Sequence, residues 1–143
     1  MTHTLQQRYD LLVPLVIQLP YTLFTGLGAV LTGSVIVGEI PAGYRVESAD
    51  IVSTAEMVKY VGPSVTSATI SLGITGTLAK FTAATNVLAS GEHIGSGLAG
   101  SLVSVDSVTN LLATITTVGA DVNVLTGGSC TAYVSLRRVC ATR

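Results

Sequence analysis

Between residues 67 and 73, Ala68, Ile70 and Leu72 alternate with Ser67, Thr69 and Ser71. A period of two predicts a strand with one buried and one wet face. The same period recurs over residues 130–139. There it turns Ala132, Val134 and Leu136 inward and Thr131, Tyr133, Ser135 and Arg137 outward. Residues 102–108 and 111–118 give two further β-rich runs. Residues 44–54 read as a strand whose phase slips: Val46 faces opposite to Arg45 and Glu47, yet Ile51 falls out of step with Val46. A bulge around Ala49 accounts for the slip.

Turn chemistry separates these runs. In Ile40-Pro41-Ala42-Gly43-Tyr44, proline presets φ at the first central position and glycine supplies a positive φ. Gly26-Leu27-Gly28, Gly119-Ala120-Asp121 and Gly127-Gly128 mark other reversals, and residues 60–63 and 90–100 read as loops. Residues 11–19 form an apolar run that tolerates Pro14 only at an edge or a strand start. Residues 21–24 extend it past Pro20, and residues 29–39 make a second β-branched run. Over residues 77–88, Leu78, Phe81 and Leu88 stand at roughly helical spacing behind Thr77, which predicts one short helix. About eight strands with turns every 8–15 residues predict an all-β, two-sheet antiparallel sandwich with one short helix inserted. Residues 1–10 are polar and read as an N-terminal arm, and residues 11–143 as a single sandwich domain.

Charge changes this picture most. Only 10% of the 143 residues are Asp, Glu, Lys or Arg, against about 25% in ordinary globular domains. No charge lies between Asp10 and Glu39, and no Lys or Arg between Lys80 and Arg137. Scattered charge keeps folded proteins apart in water, so a surface this poor in it is expected to be covered by other protein. The absence of Trp, with two Phe and five Tyr, leaves core volume to Val, Leu, Ile, Ala and Thr, the residues of pleated sheets. A formal net charge of −1 offers no basic stripe for nucleic acid. The uncharged stretch over residues 11–38 is long enough for a membrane helix, but Pro14, Pro20, Gly26, Gly28 and Gly33 break it. A strand–turn–strand reading fits it better, and no membrane partner is expected.

Candidate chemistry is sparse. Glu92-His93 reads either as half of a metal or acid–base site or as a solvated loop tip. No second ligand cluster accompanies it, which favours the loop tip. Gly95-Ser96-Gly97-Leu98-Ala99-Gly100 has no lysine to reach a phosphate. Cys130 and Cys140 lack metal-ligand spacing; on one strand they stand about 33 Å apart, too far for a disulfide. They read as reduced, packed thiols in a reducing cytoplasm. Asp and Glu are scattered singly. No catalytic residue, cofactor or metal is expected, and the chain does not read as an enzyme.

Ile40-Pro41-Ala42-Gly43-Tyr44, then Val46 with Asp50-Ile51-Val52-Ser53-Thr54-Ala55, then Ser67 through Gly73, resemble small structural proteins of tailed-phage heads. The Gly-rich turn before Thr131-Ala132-Tyr133-Val134 is similar as well. The resemblance covers residues 40–139, through short turn-and-strand motifs. It implies a jelly-roll cement, or decoration, protein bound to the outer surface of an icosahedral capsid. Such proteins form dimers or trimers and bridge copies of an HK97-like major capsid protein. Residues 11–38 lie outside the pattern, and Ile40 replaces the usual Leu. On this reading the protein is assembled in the host cytoplasm and carried on the virion. Expected contacts are Thr4, Gln7, Arg8 and Tyr9 in the arm, Lys59 and Tyr60 in one loop, and Glu92 and His93 in another; the alternative for each is a surface loop with no partner. A tail or baseplate structural protein shares this composition. A carbohydrate-binding sandwich shares the architecture but needs exposed aromatic platforms, and only five Tyr are present to supply them.

Overall fold

The computed structural model describes residues 12–55, 65–87, 91–93 and 107–138. The strands are β1 (Leu12–Pro20), β2 (Thr32–Ile40), β3 (Tyr44–Ala55), β4 (Ser67–Ile74), β5 (Thr77–Asn86), β6 (Gly91–His93), β7 (Thr109–Val118) and β8 (Ser129–Arg138). A five-residue helix, α1 (Tyr21–Thr25), follows β1, and a 3-10 turn spans Val122–Val124. One sheet runs β1-β8-β3-β6 and the other β2-β7-β4-β5. The ladder pairs are 1 with 8, 2 with 7, 3 with 6 and 4 with 5, closed by β8–β3 and β7–β4. A long antiparallel ribbon folded at its middle and rolled up gives this order, which is the jelly roll.

The core lies between the sheets. Leu19, Val46, Ala49, Ile51, Ala132, Val134 and Leu136 face it from one side; Ile40, Ala68, Ile70, Leu72, Leu111, Ala113 and Ile115 face it from the other. The core-facing positions of β4 and β8 are those read from the sequence, but Ser71 and Thr131, expected to be wet, are buried as well. Burial of each large aliphatic side chain contributes about 1.5–3 kcal/mol. The expected turn is present: Tyr44 N–H donates to Pro41 O at 3.2 Å, and Gly43 has φ +82°. The expected bulge in β3 lies at Glu47, where Val46 pairs with Leu136 but Ser48 with Ser135. This one extra residue carries Ala49 and Ile51 back to the core face.

Three expectations need correction. Residues 77–86 are a strand, β5, and not a helix. Between two register points β5 advances three residues, and then five, where β4 advances two each time. These bulges break the two-residue period, so Leu78 and Phe81 mimic helical spacing. Thr82 is fully buried at the irregularity, and its Oγ1 accepts the Leu72 N–H at 2.9 Å. The helix forms instead at Tyr21–Thr25, where a continuing strand was expected. Pro20 (φ −71°, ψ 155°) starts it, and burial of Phe24 under the sandwich holds it. Finally, Gly91–His93 is a strand on the edge of β3, inside the region read as loop. The strand expected at residues 102–108 lies mostly outside the described residues, as do the loop at 60–63 and Cys140.

Gly73 is fixed by this packing. A Cβ there would collide with the Thr77 carbonyl oxygen and the Leu78 carbonyl of the bulged strand. Backbone cannot yield as a flexible side chain can, so overpacking penalties apply in full. Gly73→Ala is expected to lower unfolding free energy by about 2 kcal/mol or more, read by urea titration, whereas Thr75→Ala in the adjoining exposed turn should cost under about 0.5 kcal/mol.

Candidate interaction surfaces

Pairing assembles outward positions into rows invisible along the chain. On the β2-β7-β4 face, Thr32, Thr116 and Thr69 form one row and Ser34, Thr114 and Ser71 the next. The Thr32 hydroxyl donates to Thr116 Oγ1 at 3.3 Å, and the Ser34 and Thr114 hydroxyls share a bond of 2.7 Å. Ser71 Oγ donates to Leu78 O at 3.0 Å. The third row is Ile36, Leu112 and Gly73, with Ile36 59% exposed. Thr114 and Ser71 are buried, at 5% and 6% exposure, so the middle row is a closed hydrogen-bonded seam, and what this face exposes is Thr32 at one end and Ile36 along one margin.

The opposite face, β1-β8-β3, carries a row of Val16, Tyr133 and Asp50. Val16 is 60% exposed and Tyr133 45%. Beside Val16, Pro14 pairs with Ser135. Towards the β1 start, Arg45 and Arg137 stand directly opposite one another. Two like charges so placed repel, and the bulged Glu47 resolves the conflict. Its Oε1 accepts from Arg45 Nε at 3.0 Å and from Arg137 at 3.3 Å. The Arg45 hydrogen bond, with help from Arg137, holds the Glu47 carboxyl below its ordinary range against an opposing desolvation effect. The bulge thus repairs both the core phase and the charge pattern.

At one end of the sandwich the β1–β2 and β7–β8 connections are sewn together. Tyr21 N–H donates to Gly128 O at 3.1 Å, Val122 N–H to Val30 O at 2.8 Å and Thr117 N–H to Leu31 O at 2.7 Å. The Thr117 hydroxyl donates to Ala120 O at 2.8 Å. Leu31, Gly119, Ala120, Asp121 and Val124 line a shallow depression of about 430 Å³ here, and Val118 beside it is 54% exposed. Sequence reading missed this apolar end because its residues come from two loops that pattern analysis treats as punctuation.

Of the expected contact residues, Thr4, Gln7, Arg8, Tyr9, Lys59 and Tyr60 lie outside the described residues. Glu92 pairs with Val52 and His93 with Ile51 on the β3 edge, so they sit on a strand and not at a loop tip. Among the described residues no group of three or more His, Cys, Asp or Glu is placed to hold a metal ion, and no helix is long and apolar enough to cross a membrane. Cys130 is a buried free thiol. Burial pushes its pKa up to about 11, with the neighbouring Ser53 hydroxyl opposing the shift; the buried Ser53 Oγ makes no hydrogen bond of ordinary geometry. A thiol so held is a packing group and not a nucleophile.

No protein-family model and no curated protein matches the chain. Solved structures do. Its fold is similar to that of a chain in the cyanophage Pam1 capsid asymmetric unit. The match has a TM-score of 0.58 and 16% identity, over 89% of this chain and 84% of that one. A chain in the acid-stable capsid of Helicobacter pylori bacteriophage KHP30 aligns at a TM-score of 0.48 and 16% identity, over 90% of each.

Two measurements check the local electrostatics. Because Glu47 titrates lower in the folded state, its stabilisation is complete above its ordinary value of 4.5 and is lost as pH falls through the folded-state value. Wild type should therefore exceed Glu47→Gln in stability at pH 6, with the gap closing towards pH 3; a gap independent of pH would contradict this pairing. Cys130 should resist iodoacetamide at pH 8 in the native protein and react on unfolding, as mapped by peptide mass spectrometry.

Proposed function

We propose that this chain is a structural protein of a phage head, bound to the outer surface of the shell, where it cements neighbouring major capsid protein subunits of the HK97-like class. The observation carrying this reading is the likeness of its jelly roll to a chain of a cyanophage capsid along 89% of its length. The short sequence motifs around Ile40–Tyr44 and Ser67–Gly73 point the same way. Its surface suits the role: exposed Val16, Ile36, Val118 and Tyr133 give contacts that need no ionic partner. On a lattice, several modest contacts act together, so avidity replaces any single strong site. In this role two or three copies associate, and the assembly spans adjacent capsomers and opposes their separation under the pressure of packaged DNA. The work is mechanical; no bond is made or broken, and nucleic acid is not a partner.

The test is to image native particles with a label fused to the C-terminus and to compare heads made with and without the protein. The label should lie on the outer shell in fixed stoichiometry, and heads lacking the protein should rupture at lower temperature. Binding of purified protein to bare heads should fall less than about tenfold between 50 and 500 mM salt, since screened ion pairs contribute little. Label confined to tails, or absent from particles, would overturn the proposal.

A further inference from the structure

The outer face of β1-β8-β3 is open to solvent along part of its length. Pro14, Ser48 and Arg137 are exposed there, beside Val16 and Tyr133. Register sorts the outward positions into rows. The first holds Arg137 and Arg45, whose guanidinium groups share Glu47. The second holds Pro14, Ser135 and Ser48, and the third Val16, Tyr133 and Asp50. Two arginines and one glutamate leave the first row with a net positive charge. Asp50 makes the third row negative, and it has no ion-pair partner among the described residues. Four residues of strand, about 13 Å, separate the two charged rows.

A face whose opposite charges flank an uncharged row is its own complement. Two sheets packed face to face keep their strand directions within about 30°. Place a two-fold axis between two copies, at right angles to the strands and over the Pro14–Ser135–Ser48 row. Each strand then lies antiparallel on its own counterpart, and the first row of one copy meets the third row of the other. Arg45 faces Asp50, Arg137 faces the Tyr133 ring as a cation over an aromatic, and Pro14 meets Pro14. Other placements lose this match. Over the first row the axis sets arginine on arginine, and over the third it sets Asp50 on Asp50. Halfway between the second and third rows it leaves Asp50 over Ser48, with no counter-charge. Turned along the strands, over β8 or between β8 and β3, it again sets arginine on arginine. Like charges juxtaposed across an interface are strongly disfavoured.

We infer that two copies of this chain dimerise face to face through β1-β8-β3, with Arg45 paired to Asp50 and Arg137 set over Tyr133 across the two-fold axis. Three rows are a small patch beside the roughly 800 Å² per partner of stable complexes, so the dimer is concentration-dependent. The contact gives a form to the association of copies proposed above and rests on that reading only there. Purified protein tests it without heads, so its failure would leave the place on the shell untouched.

The experiment runs the full chain through sedimentation velocity across a dilution series. Wild type should pass from monomer to dimer. Asp50→Lys sets a cation opposite Arg45 and should weaken the dimer by about tenfold or more; Tyr133→Lys, opposite Arg137, does the same and serves if Asp50→Lys fails to fold. Ile36→Lys, exposed on the other sheet, should leave the dimer unchanged. Ser135 lies on the axis, so Ser135→Cys in a Cys140→Ser background should cross-link to itself with a bismaleimide spanning about 10 Å, the spacing of packed sheets. Thr32→Cys in that background should not. The inference is overturned by a wild-type monomer at every concentration up to about 1 mM, or by a trimer. It is equally overturned by a dimer that the lysine variants at Asp50 and Tyr133 leave intact, or by cross-linking through Thr32→Cys in place of Ser135→Cys.

Discussion

The constraint on which the rest depends is that β7 and β8 must each find two partners from the other half of the chain. β8 lies between β1 and β3, and β7 between β2 and β4. Central strands have obligations on both sides, because a buried N–H or C=O left unpaired costs about as much as a lost hydrogen bond. In both sheets, strands from the first four alternate with strands from the last four. Neither half can therefore close a sheet alone. Loop-closure entropy is spent on long-range pairings before burial returns anything, which is the signature of a slow, cooperative β fold. The core follows from these pairings, since only they bring Ile51 and Val134 to face Ile70 and Ile115.

Against that constraint, the bulges are corrections and not defects. One at Glu47 rephases β3 so that Val46, Ala49 and Ile51 are all buried. The same extra residue places a carboxylate between Arg45 and Arg137, which the register forces together. In β5 the extra residues press the chain onto Gly73, and two hydroxyls take up the displaced bonding. Thr82 accepts from the Leu72 amide, and Ser71 donates to the Leu78 carbonyl. Threonine and serine are thus used here as backbone substitutes, one reason a charge-poor chain can be so rich in them.

Local sequence made part of this legible. Alternation in Ser67–Gly73 and Cys130–Arg137, and the Pro41–Gly43 turn, report directly on the backbone because each depends on a few adjacent residues. The slip between Val46 and Ile51 revealed a bulge, although one residue in phase cannot say which side of Ala49 holds it. β5 was misread for the same physical reason taken further: several bulged residues turn a two-residue period into an apparent helical one. α1 was missed because Phe24 is held by tertiary burial, which no five-residue propensity encodes. The surfaces were the least legible. Thr32, Thr69 and Thr116 are far apart in sequence, and only the register makes them a row. Glu92 and His93 looked like a loop because three strand residues amid glycine and serine carry no period.

A fold shared at 16% identity fits this division of labour. What the roll demands is modest: aliphatic side chains of roughly the right volume on inward positions, glycine where φ is positive or backbones touch, and turns of set length. Cores accept wide substitution when pattern and volume are kept. Outward positions answer to no such demand, so they are free to follow whatever the surface meets. In this chain they include hydroxyls, exposed Val16, Ile36 and Val118, one small ionic cluster and a few single charges such as Glu39 and Asp121. A protein whose outer positions had only water to satisfy would gain from lysine and glutamate there. That lysine and glutamate are so sparse on the β2-β7-β4 face and at the loop end fits the proposed burial of this surface against other protein.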